Sequence, residues 1–338
     1  MPYKRSSLTK KLYTQHNKWK ADAILRKMGR DSGKWTAPTS LYGYVGGGAV
    51  GGYTTDIARF EFPFDSGTAN TVGNLNNSKY NACGCNSSDY GFFMGGYNGS
   101  HVTAIERLLF PFDSGTTSHV GDLSGTKQGA VACNNSTYGY ALGGDVNGSF
   151  TSSINRLTFP FNSGIATQVG GLAITKYLGG GCNSSDYGFF MDGYNGSSLS
   201  SIERITFPFD SGVASVVGNL NNNVYNGVGC NSSNYGYAIS GFDGSSTSHI
   251  DRITFPFNSG TATAVGNING SRYDASCCNS TIHGYCIAGI DGAVFLSSVE
   301  RITFPFDSGL SSTVGSLHNS RSYAGSLDDT DFVTLFAA

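Results

Sequence analysis

Charge is scarce in this chain: Asp, Glu, Lys and Arg make up 13% of its 338 residues, against roughly 25% in ordinary soluble domains. A disordered polyampholyte and a charge-laced coiled coil are therefore excluded. No apolar run approaches the ~20 residues that carry a helix across a bilayer, so insertion into a membrane is not expected. Histidine is also rare, at six residues, and these form no H-E-x-x-H or other metal-binding spacing. A signal peptide's apolar core is missing from the first residues, which points to synthesis in a cytoplasm. The Asn-x-Ser/Thr triplets, such as Asn86-Ser87-Ser88, then read as turns rather than glycosylation sites. Tryptophan numbers two and proline eight, whereas Gly (48), Phe (22) and Tyr (19) are abundant.

The formal net charge of -2 conceals a division. Ten of the 21 basic residues lie in residues 1–34, opposed only by Asp22 and Asp31, which leaves +8 there. Residues 35–338 hold eleven basic against 21 acidic residues, a balance of -10. Two domains follow: a basic arm over 1–38 and an acidic body over 39–338.

The body is repetitive. Phe-Pro-Phe recurs six times, with its proline at Pro63, Pro111, Pro160, Pro208, Pro256 and Pro305. Each unit reads as four short strands between turn residues. In the second unit these are Asn81 to Cys85, Tyr90 to Gly95, Val102 to Phe110 and Thr116 to Val120, here termed a, b, c and d. Asn98-Gly99 between b and c is a strong hairpin signal. Four antiparallel strands per ~45–50 residues is the signature of a propeller blade. After the sixth d strand, Ser322 to Leu327 has the phase of an a strand, while the first unit enters at b with Tyr42-Gly43-Tyr44. The expected fold is thus all-β: a six-bladed β-propeller closed by its C-terminal strand and preceded by the arm. A seventh b-type segment, Asp331 to Phe336, is left over.

Gly95-Gly96 and Gly143-Gly144 after strand b, followed by a hairpin and then Ile105-Glu106-Arg107 and Phe112-Asp113, resemble the kelch repeat over residues ~40–338. The kelch tryptophan is absent, since Trp19 and Trp35 lie outside the repeat. The first glycine is also replaced in Asp192-Gly193, Ser240-Gly241 and Ala288-Gly289. The phrases Phe-Pro-Phe-Asp-Ser-Gly and Tyr-Asn-Gly-Ser are similar to kelch-like proteins of marine bacteriophages, cyanophages among them. That resemblance implies a virion location, with the chain one of many copies in an assembly.

Columns of the repeat separate architecture from function. All eleven basic residues of the body fall in two columns: Arg59, Arg107, Arg156, Arg204, Arg252 and Arg301, and then Lys79, Lys127, Lys176, Arg272 and Arg321. Even spacing favours ion pairs between blades over a ring of anion sites, and nucleic acid is not expected on the body. Cys85, Cys133, Cys182, Cys230 and Cys278 form one column at the end of strand a, too far apart around a ring to be bridged. Free buried thiols are expected, with no metal and no cofactor. Most carboxylates and the Asp-Ser-Gly serines also repeat, so no catalytic residue is assigned and an enzyme is not expected.

Two regions remain as candidate sites. The b–c tips Tyr97-Asn98, Tyr194-Asn195 and Phe242-Asp243 set an aromatic beside an amide or carboxylate, a combination suited to host-surface glycans. The arm reads as a basic, partly helical docking segment, with Lys4, Arg5, Lys10, Lys11, Trp19, Lys20, Arg26 and Lys27 as contact residues. Its expected partners are other virion structural proteins, with nucleic acid as the competing ligand. The leading expectation is a non-enzymatic virion protein of a tail, fibre or capsid decoration, serving host adsorption. An intracellular kelch-type protein–protein interaction scaffold is the alternative, and a carbohydrate-active or copper-dependent enzyme the third reading.

Overall fold

The computed structural model describes residues 41–330. The docking arm and the leftover b-type segment at 331–336 lie outside the described residues. Within them the chain is all-β, with no helix.

The strands β1 (Tyr42–Gly46), β2 (Asp56–Glu61) and β3 (Thr68–Asn74) come first. Next, β4 (Cys83–Asn86), β5 (Tyr90–Met94), β6 (Ala104–Leu109) and β7 (Ser118–Asp122) form a four-stranded antiparallel sheet. β8 (Val131–Asn134) and β9 (Tyr138–Leu142) follow, then a short hairpin of β10 (Asp145–Val146) and β11 (Ser149–Phe150). β12 (Ser153–Thr158) and β13 (Thr167–Gly171) complete the sheet begun by β8 and β9. A third sheet contains β14 (Gly180–Asn183), β15 (Tyr187–Met191), β16 (Leu199–Thr206) and β17 (Ser215–Val224). The fourth contains β18 (Val228–Asn231), β19 (Tyr235–Phe242), β20 (Ser246–Thr254) and β21 (Thr263–Arg272).

Six four-stranded blades were expected, and four stand as separate four-stranded sheets. The remaining strands, β22 (Ser276–Asn279), β23 (His283–Asp291), β24 (Val294–Thr303), β25 (Ser312–Leu317) and β26 (Gly325–Asp328), join β1–β3 in one eight-stranded sheet. Its order is β22-β23-β24-β25-β3-β2-β1-β26. The joint is a two-residue parallel pairing of Ser316 with Thr68 and Leu317 with Ala69. Elsewhere the same contact is a single parallel bridge, as in Asn74–Thr116 and Asp122–Ile165, which leaves those sheets separate. The C-terminal strand β26 pairs antiparallel with β1, Leu327 lying opposite Tyr44. The ends of the described chain are thereby tied into one sheet.

The innermost strands β4, β8, β14, β18, β22 and β26 contact one another in that order, and β26 returns to β4. They enclose a central channel and give the molecule its propeller-like arrangement. Their channel-facing column is small throughout: Gly84, Ala132, Gly181, Gly229, Cys277 and Ser326. A Cβ on Gly181 would stand 2.5 Å from the Ala132 carbonyl oxygen, so the bore tolerates little side-chain volume.

The core lies between neighbouring sheets. Stacked rings such as Phe92 with Phe159, Tyr140 with Phe207 and Tyr237 with Phe304 cross these interfaces. Backbone geometry also explains the uneven glycine pair after strand b. The first position has φ of 57° at Asp192, 58° at Ser240 and 59° at Ala288, a left-handed conformation that L-residues can adopt at some cost. The second has φ of 101° at Gly48 and 126° at Gly241, which only glycine enters freely.

Candidate functional site

The two basic columns are structural. Each arginine of the first column reaches the neighbouring Phe-Pro-Phe turn: Arg107 donates to the Phe161 carbonyl and to Asn162, and Arg59 to the Phe112 carbonyl and Asp113. Arg301 closes the series on Phe64 and Asp65. The guanidinium of Arg107 also covers the Tyr90 ring, 4.4 Å from its centroid. The second column is buried, with ion pairs from Lys79 to Glu106 at 2.8 Å and from Arg272 to Glu300 at 3.3 Å. Asn155 stands where those units have glutamate, so Lys127 donates instead to the Ser153 carbonyl and hydroxyl. Desolvation lowers this amine to a pKa of about 8.

The cysteines are free, and seven of the eight are buried. Cys85 and Cys133 face away from the channel, against Gly139 and Gly188 of the next sheet. Burial pushes the Cys83 thiol up to about 12 and that of Cys85 well above its ordinary value, so neither is a ready nucleophile. Among the described residues, no three His, Cys, Asp or Glu side chains are grouped to hold a metal ion.

The d–a loops and b–c tips meet on one face. Tyr80 and Tyr97 exchange backbone hydrogen bonds, as do Tyr177 with Tyr194 and Tyr225 with Phe242. Their rings build an aromatic belt. One arc runs from Tyr323 through Tyr80 to Tyr97 and Tyr53. The longer arc runs through Phe150, Tyr177, Tyr194, Tyr225, Phe242 and Tyr273, with centroids 4.8–6.1 Å apart. Between the arcs Asp145 accepts from Gln128 and pairs with His101 Nε2 at 3.0 Å.

Three of the six tip residues proposed from sequence, Tyr97, Tyr194 and Phe242, enter this belt. Their neighbours do not. Asn98 and Asp243 are exposed and accept hydrogen bonds from Ser100 and Ser245 of their own turns, and Asn195 accepts from the Ser197 hydroxyl. The belt's other half, Tyr80, Tyr177, Tyr225 and Tyr273, was not anticipated. Its signal was present as a tyrosine directly after the second basic column position in four units. The arm residues Lys4, Arg5, Lys10, Lys11, Trp19, Lys20, Arg26 and Lys27 lie outside the described residues.

Inside the belt the channel opens through a rim of one residue per unit: Asn81, Gly129, Leu178, Asn226, Asp274 and Tyr323. All six have φ between 52° and 60°. Each amide donates to the carbonyl of the preceding rim residue, and Asn81 donates to Tyr323, which closes a ring of backbone hydrogen bonds at 2.7–3.1 Å. Below the rim is a cavity of about 180 Å³. At the opposite end, Asn86, Asn134, Asn183, Asn231, Asn279 and Asp328 surround a smaller space of about 40 Å³. There the Asn183, Asn231 and Asn279 amides donate to the Asn231, Asn279 and Asp328 side chains, each at 3.2 Å.

No protein-family model matches the chain, and no curated protein is similar to it. No helix among the described residues is long and apolar enough to cross a membrane.

Proposed function

We propose that the chain is a six-bladed, kelch-like propeller of a bacteriophage particle: a non-enzymatic structural protein that displays a binding face and is held by its N-terminal arm. The blade count treats the eight-stranded sheet as two blades, because only two parallel residue pairs join its halves. Six inner strands in a cycle and six linked rim residues support that count. The phage assignment rests on the repeat phrases, and docking by the arm rests on its +8 charge.

The observation that carries the display role is the aromatic belt. Large rings held half-exposed on one face by backbone pairing form a preorganised platform, and a rigid platform loses little freedom on binding. Many copies on one particle convert weak contacts into avidity. Host-surface glycans are the proposed ligands of the belt, since tyrosine offers both an apolar ring face and a hydroxyl.

Mass spectrometry of purified particles is expected to find the chain at a fixed, stoichiometric copy number. Its absence from particles would refute the assignment. A chain lacking residues 1–34 is expected to fold and yet fail to incorporate, whereas normal incorporation would remove the arm's role.

A further inference from the structure

The cavity beneath the rim has a one-sided chemistry. Asn226 and Asp274, on adjacent units, both line it and are 7% and 5% exposed. Asn226 Oδ1 and Asp274 Oδ2 have no hydrogen-bond partner. Buried acceptors left unmade in this way cost of order 1–3 kcal/mol each, and a carboxylate costs more without a counter-charge. Among the described residues none is supplied, since no Lys, Arg or His of theirs lines the cavity. The basic side chains two residues before Asp274 and Tyr323, those of Arg272 and Arg321, turn into the blades and bond to carbonyls there.

Of the belt tyrosines, Tyr323 lines the cavity together with Asp274. Burial raises the Asp274 carboxyl well above its ordinary pKa, and a cation beside it would favour the charged form. The cavity holds several waters' worth of space, about 180 Å³ against the ~10–15 Å³ that one water needs.

The geometry points to a binding site for an organic ammonium ion, seated under the rim against Asp274 and Asn226 and beside Tyr323. An ammonium group brings the missing counter-charge, donates to the unpaired acceptors or rests against the Tyr323 ring, and is attracted by its quadrupole. A small anion is disfavoured, because the rim amides already donate to one another and Asp274 repels it. A metal ion is disfavoured because Asp274 is the one carboxylate lining the cavity. A neutral sugar leaves Asp274 without a counter-charge. The source is either a free small amine or a lysine side chain presented by a partner protein. This site does not depend on the virion assignment.

The test is calorimetric titration of the full chain at constant ionic strength with tetramethylammonium, methylammonium and Nα-acetyl-lysine amide, and with glucose and calcium as controls. Saturable binding of an ammonium probe is expected, weakened about tenfold or more in Asp274→Asn, the charge being the main attraction. Preference for Nα-acetyl-lysine amide assigns a protein lysine, and preference for the smaller ions assigns a free amine. Both substitutions to be used have precedents in the rim: Asn81 and Asn226 precede Asp274→Asn, and Leu178 precedes Asn226→Leu. Should the first variant not fold, the second is expected to weaken binding while keeping the melting temperature. No binding by any ammonium probe, or equal binding by either folded variant, overturns the site, as does binding of glucose or calcium alone.

Discussion

Asp328 breaks a ring of asparagines. Five units place Asn at the narrow end of the channel and the sixth places a carboxyl group, which accepts from the Asn279 and Thr330 amides. Burial outweighs these hydrogen bonds and pushes Asp328 up to a pKa of about 7. Between about pH 4, the ordinary carboxylate value, and pH 7 the folded protein keeps a proton that the unfolded chain has released. Stability from this group is therefore full at low pH and is lost as pH rises through that window. Asp328→Asn is expected to flatten this slope and to raise stability above pH 7. The gain should be on the order of 1 kcal/mol, because the lost Thr330 hydrogen bond offsets part of the relief. Urea unfolding at pH 5 and pH 8 measures both effects, and a variant with the wild-type slope would show that Asp328 titrates normally. The same scale explains why the rim escaped sequence reading. Asn81, Gly129, Leu178, Asn226, Asp274 and Tyr323 share a φ and a backbone hydrogen bond but no side-chain chemistry, so they form no visible column. Lys79, Lys176 and the arginines were visible because their side chains do the same job in each unit.

Strands were legible where turn chemistry bounds them. Strand b of the second unit was expected to end at Gly95 and ends at Met94, and strand c was expected over Val102 to Phe110 against Ala104–Leu109. Strand d was expected to begin at Thr116, but that residue instead makes a lone parallel bridge to Asn74 of the neighbouring sheet, and β7 starts at Ser118. Such a contact depends on the placement of two sheets, which no local pattern encodes. The inner strands carry the strictest demand. Gly181→Val adds branched volume 2.5 Å from both the Ala132 carbonyl oxygen and Val131 Cγ1. A backbone atom cannot rotate away, so a loss of about 1–3 kcal/mol is expected, read as a lowered melting temperature. Unchanged melting would mean that the inner strands can spread.

Stability at the scale of the whole molecule depends on one long-range joint. Within the eight-stranded sheet, β26 and β25 bring residues 312–328 back to β1 and β3. A chain ending at Ala324 loses the innermost strand of that sheet and opens an edge on β1. Exposed edges pair with other chains, so the truncated protein is expected to elute as soluble aggregate on size exclusion and to unfold without a single sharp transition. A monomer with the full-length urea midpoint would show that closure contributes little. Closure was readable in advance because Ser322 to Leu327 carries a strand phase that the first unit lacks. The merging of two units into one sheet was not readable, since it turns on one extra residue pair.

The pairing of β1 with β26 also sets a clock during synthesis. Residue 46 leaves the ribosome 282 residues before residue 328, an interval of roughly 15–60 s at ~5–20 residues per second. For that time β1 waits without its inner neighbour, while the basic residues 1–34 have already been synthesised. On the proposal that the arm anchors the protein, capture by the arm and completion of the ring are separable events in time.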